Sequence, residues 1–191
     1  MNIKNHLKHS VGFTVVELLV VIAIITIIPI IVMPNFSQIR LQFALSRVPH
    51  KFAQDVRKTQ GLSLSSVTYK DSFGVEQAIS GYGVYVDINN LGKKKYIIYA
   101  DKSPSNNQYD SLDYIIETID FSSSESGVII KEINNVLNSK ASIDFIPPNP
   151  DTKISSLSPN KSSVEIVFAL ESDLTKTRTV SVNISGLIEV K

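Results

Sequence analysis

The sequence predicts an α+β chain: a long N-terminal helix, apolar in its first half, followed by an antiparallel β-sheet head. Three observations carry this expectation. Residues 13–33 form a run whose only charge is Glu17. Beyond it, Leu41, Leu45, Val48, Phe52 and Val56 recur at steps of four and three, an amphipathic helical stripe. From Ser65 onward, β-branched and aromatic residues gather in short runs separated by Gly, Asn, Ser and Pro, the pattern of strands and turns.

Composition sets the bounds. A chain of 191 residues holds a membrane helix and one modest domain. The formal net charge of +1 gives no whole-protein field to attract nucleic acid. There is no Cys, so no disulfide supports the head.

The N-terminal element begins with a short cationic leader, residues 1–12, carrying Lys4 and Lys8. The apolar run that follows at 13–33 has the length of a bilayer span, roughly 30 Å at about 1.5 Å per residue. An ordinary secretory signal has a shorter apolar core and small residues after it; here the small residue, Gly12, comes first. Lys4 and Lys8 place the N-terminus in the cytoplasm and the rest outside by the positive-inside rule. A lone carboxylate such as Glu17 is costly in this setting, which calls for a cationic partner.

The stretch Gly12-Phe13-Thr14-Val15-Val16-Glu17, with its basic leader and uninterrupted apolar run, resembles the prepilin cleavage and methylation motif of type IV pilins and type II secretion pseudopilins. The resemblance implies that a prepilin peptidase cuts after Gly12 and that a methyltransferase modifies the new N-terminus at Phe13. It implies a partner set of other pilin or pseudopilin subunits and a membrane assembly platform. Physical chemistry agrees: the amine released at Phe13 has a reference pKa of about 8, and methylation keeps its charge. Glu17 then pairs with the Phe13 amine of a neighbouring subunit, or with its own one helical turn away. In either case a carboxylate in a first turn also gains from the helix dipole.

Pro29 and Pro34 remove backbone donors and crowd the carbonyls of Ile25 and Ile30, so a kink is expected near 29–34. Pro49 predicts a bend or break within the stripe, with helix resuming to about Leu64. The domain plan is therefore leader 1–12, helix 13–64 and extracytoplasmic head 65–191. The stripe itself is read as head core.

Strands are expected at 82–88, 94–100, 114–120, 127–133, 142–146, 163–170, 177–184 and 187–190, with 133–140 as an alternative helical turn. Val164, Ile166 and Phe168 alternate with Glu165, Val167 and Ala169, and Val180, Val182 and Ile184 with Thr179, Ser181 and Asn183. That alternation suits an antiparallel sheet with one wetter face. Ser185-Gly186 closes the last hairpin. Ser122–Ser126 reads as a solvated turn, and Pro147–Ser163, with four prolines, as the most loop-like stretch. The β-rich remainder is most similar to H-type minor pseudopilins and T-type minor pilins, through Phe52–Arg57 and the closing Ser181–Val190.

Signals for catalysis are poor. The histidines are His6, His9 and His50, the first two in the leader, and no phosphate-binding glycine loop or metal-binding His pair occurs. No enzyme activity and no cofactor is expected. Asp101 to Asp113 has alternating oxygen donors like a calcium loop, yet Asn106 and Leu112 stand where Gly and Glu are needed. A metal-free polar loop is the simpler reading. Lys93-Lys94-Lys95 after Asn89–Gly92 reads as a solvated turn. Some T-type minor pilins capture DNA through a basic tail; the tail here, Gly186–Lys191, has no arginine, and nucleic acid is not an expected partner. The competing functions are a single-span membrane protein with an external ligand-binding β domain, and a DNA-uptake minor pilin.

Overall fold

The computed structural model describes residues 12–71, 73–125, 127–147 and 151–191. Most of the leader, with Lys4, Lys8, His6 and His9, lies outside the described residues, as do Ser126, Pro148 and Pro150. The architecture is α+β. Among the described residues one helix, α1 (Val15–Leu64), precedes eleven strands: β1 (Tyr69–Lys70), β2 (Glu76–Gln77), β3 (Ile79–Asp87), β4 (Lys95–Lys102), β5 (Tyr114–Asp120), β6 (Val128–Asn134), β7 (Lys140–Ile146), β8 (Asp151–Ile154), β9 (Ser163–Leu170), β10 (Asp173–Asn183) and β11 (Ile188–Val190).

The chain divides into two compact units, Met1–Arg40 and Leu41–Lys191. In the first, α1 continues through Pro29 and its axis bends between Ile31 and Phe36. Among the described residues no single helix is long and apolar enough to cross a membrane. The parts of α1 on either side of the bend, Val15–Ile31 and Phe36–Leu64, meet the length and composition requirement together. Val15–Ile31 alone rises through roughly 25 Å.

The second unit begins at Leu41, not at the change of composition near Ser65. The cause is the helical stripe: Ala44, Leu45, Val48, Phe52, Ala53 and Val56 are all buried in the core, with Leu41 packed against it. Of the bend or break expected at Pro49, a break does not occur: α1 is helical through it. A proline inside a helix costs about 3 kcal/mol. Leu45, Val48 and Phe52 hold both flanking turns in the core, which offsets that cost.

Two antiparallel sheets supply the rest of this core, in the orders β5-β4-β3-β7-β8 and β11-β10-β9-β6, with β1-β2 as a separate small ribbon. The period of two sorts side chains by face. Val84 and Val86 of β3, Tyr96 and Ile98 of β4, and Ala141, Ile143 and Phe145 of β7 join the core; so do Val164, Ile166 and Phe168 of β9 and Val180 and Val182 of β10. Ile184 departs from its expected alternation: it lies past the end of β10 and is half-exposed. The last hairpin turns at Gly186, whose φ of 79° suits glycine. Asn183 Oδ1 accepts the Ser185 and Leu187 N–H groups there. Arg57 and Gln60 of α1 donate to the carbonyls of Ile188 and Gly186 at 3.0 and 3.3 Å, fixing the closing hairpin to the helix.

Every strand expected from the sequence is present, within a few residues at each end. The segment 133–140 is not helical: Asn135, Asn138 and Ser139 have positive φ, and Val136 bridges to Leu157. Within the proline-rich stretch, β8 pairs with β7 in the register Ile143 to Ile154.

Candidate functional site

Thr14 sets the start of α1. Its hydroxyl accepts the N–H of Glu17 at 3.2 Å, and its carbonyl accepts that of Leu18 at 3.1 Å. This is the N-cap half of a capping box, satisfying donors that a helix start otherwise leaves open. Reasoning from charge pattern misses Thr14; the Thr-x-x-Glu spacing is the signal that finds it. Gly12 and Phe13 lie in the non-helical lead-in. A side chain at Gly12 would meet nothing within 4 Å, and Phe13 is 79% exposed.

Glu17 occupies the first turn of α1 and is exposed. Among the described residues no ion pair involves it. Phe13, Glu17 and the cap are brought together by sequence proximity alone. Downstream, the consecutive Leu18, Leu19, Val20 and Val21 are exposed apolar residues on every side of the helix, and Thr26 turns its hydroxyl inward to the carbonyls of Ile22 and Ala23. Pro29 is exposed on the helix; Pro34 lies where the axis bends.

In the head, the loop Ser103–Asp113 covers the outer face of the five-stranded sheet. Its own polar groups organise it. The Asp113 carboxylate accepts the N–H groups of Lys102 and Asp110 at 2.9 and 2.8 Å, and Asp110 accepts that of Leu112 at 2.6 Å. Asp101 is buried, its carboxylate accepting the Ser105 hydroxyl. The oxygen donors expected of a calcium loop are therefore spent on backbone and hydroxyl donors. Among the described residues no three His, Cys, Asp or Glu side chains are grouped to hold a metal.

Sequence reasoning missed what lies beneath this loop. Tyr99, Gly83 and Asp144 stand in one row across β4, β3 and β7. Because Gly83 has no side chain, the Tyr99 hydroxyl reaches over it to donate to Asp144 Oδ1. A Cβ at Gly83 would lie 2.5 Å from the Tyr99 ring and 2.6 Å from Asp144 Oδ1. Asp144 is 1% exposed, and its Oδ2 has no hydrogen-bond partner. Burial pushes its carboxyl up to about 7, with the Asp101 and Asp113 charges adding and the Tyr99 hydroxyl opposing. Burial likewise raises Asp101. Nothing in the alternation of β7 distinguishes a buried Asp144 from a solvated one; only the loop above decides it.

Elsewhere, Lys94 pairs with Glu171 at 2.9 Å and Lys95 with Asp120 at 3.2 Å, so two of the three consecutive lysines are already engaged. No family model, curated protein or solved structure matches this chain.

Proposed function

We propose that this chain is a non-catalytic structural subunit of the prepilin type. It is cut after Gly12, held in the cytoplasmic membrane, and assembled through α1 into a type IV pilus or secretion pseudopilus. The supporting observation is the helix itself. Val15–Ile31 is apolar on all sides and exposed on all sides, a surface that water does not tolerate and that lipid or other copies of the same helix can cover. Its open end carries the scissile glycine, a capped first turn and an exposed acid in that turn. A cationic amine at Phe13 supplies the charge that Glu17 lacks when the helix leaves water. The prepilin peptidase and methyltransferase act on the chain, and the head faces the extracytoplasmic side.

The proposal is tested by filament content. Wild-type chain should be found in filaments sheared from its native cells. Glu17→Ala, which touches no core residue, should reach the membrane at normal level but fall at least tenfold in the filament fraction. Equal recovery of the two would remove the pairing from the account. Wild-type chain confined to the membrane would favour the single-span reading.

A further inference from the structure

We propose that the loop Ser103–Asp113 is a proton-latched lid: neutral Asp144 holds it closed over the sheet, and loss of that proton releases it as the surroundings move from acidic toward neutral. At its base the lid is tied by the Ser103 N–H to the Ala78 carbonyl, the Ser105 hydroxyl to Asp101 and the Lys102 N–H to Asp113; over the sheet it is fastened through Tyr109. The Tyr109 N–H donates to Ser142 Oγ at 2.9 Å, and the Tyr109 ring stacks on Tyr85 at 4.7 Å and meets Tyr99 edge-on at 5.1 Å. Tyr85 is itself held by Asp87, whose carboxylate accepts its hydroxyl at 2.7 Å.

The groups facing Asp144 explain why its proton matters. On β4 they are Tyr99 and Asp101, and on β3 Tyr85 with Asp87 beyond it; Ser142 lies on β7 itself. The lid brings Tyr109, Asp110 and Asp113, with Lys102 at its base. On β8, Lys153 stands opposite Asp144 in register. No ion pair within 4.0 Å joins Asp144 to any described cation. The Asp101 and Asp113 carboxyls thus bear on a group that has one hydroxyl donor, from Tyr99, and an Oδ2 that has none. A neutral carboxyl is tolerated there; an ionised one needs water or a cation. Lifting Tyr109 from these contacts admits water, and it bares Tyr85 and Tyr99 beside a newly anionic Asp144.

The sign follows from linkage. Closed, Asp144 holds its proton up to about pH 7; open and solvated, it loses it near the ordinary value of about 3.9. The open fraction therefore rises about tenfold per pH unit between these values and levels off above the upper one.

Hydrogen exchange of the Tyr109 amide, on the full chain in detergent micelles and corrected for intrinsic rates, reads this directly. From pH 5 to pH 7 the protection of wild type should fall about fiftyfold, while Asp144→Asn, which keeps the shape without the charge, should show no such fall. Wild-type protection that is flat with pH, or an equal fall in the Asn variant, would overturn the lid. Should the Asn variant fail to fold, the carbon-13 shift of the Asp144 carboxyl in wild type decides. A titration midpoint near 7 supports the latch, and one in the ordinary carboxylate range, about 4, refutes it.

Discussion

Phe52→Ala should cost about 3–5 kcal/mol, a large fraction of the roughly 5–15 kcal/mol that holds an ordinary domain folded. Phe52 is fully buried, and its ring is where α1 meets both sheets. It stands edge-on to Tyr96 of β4 at 4.9 Å and tilted against Phe168 of β9 at 5.7 Å. Truncation leaves a cavity bounded by α1, β4 and β9, and neither strand can collapse into it without disturbing the ladders on both its sides. At about 2–4 °C per kcal/mol for a domain of this size, thermal unfolding of the full chain should drop by roughly 6–20 °C. Phe73→Ala is the control: Phe73 is 90% exposed, and its removal should change stability by no more than about 0.5 kcal/mol. Equal effects at the two positions would mean that the core is not where it is described.

The second large effect is expected at Gly81. A Cβ there would lie 2.2 Å from the carbonyl oxygen of Phe145. The obstacle is backbone, in the strand that β3 must pair with at Tyr82 and Phe145, so no rotamer relieves it. Gly81→Ala should destabilise by about 1–3 kcal/mol from overpacking alone. More follows if β7 moves far enough to release the Ser63 hydroxyl, which donates to that same carbonyl. Gly61 provides the opposite sign. It sits inside α1 with nothing within 4 Å of its Cβ position, and Gly61→Ala should stabilise by roughly 0.5–1 kcal/mol. Denaturant midpoints of the two variants, shifted in opposite directions, check both statements.

Much of this fold could be read from local pattern because its elements are locally consistent. The stripe Leu41 to Val56 has one period throughout, and in β3, β4, β7 and β9 every second residue joins the core because one face meets it. Where reading failed, tertiary contacts outweighed local signals. Pro49 stays helical because its neighbours are pinned in the core. The short strand β8 forms amid prolines because β7 offers it an edge. The ribbon β1-β2 is two residues a side, too short for any period; Asp71 makes it by accepting the N–H groups of Phe73 and Val75 and the Gln77 amide.

At the N-terminus, the resemblance to the prepilin motif pointed to Gly12 and Phe13, and the charge pattern pointed to Glu17, since an acid within an apolar run stands out in any sequence. The cap at Thr14 carries no charge and did not. The Tyr99–Asp144 pair was invisible for a different reason. It depends on a glycine between two strands and on a loop folding over them, a juxtaposition that no single stretch of sequence encodes.

The account of function rests on cleavage between Gly12 and Phe13. Intact mass measurement of the chain purified from its native membranes, beside an active prepilin peptidase, tests this most directly. It should give a mature N-terminus at Phe13 carrying one added methyl group. A chain that retains residues 1–12 under those conditions would contradict it.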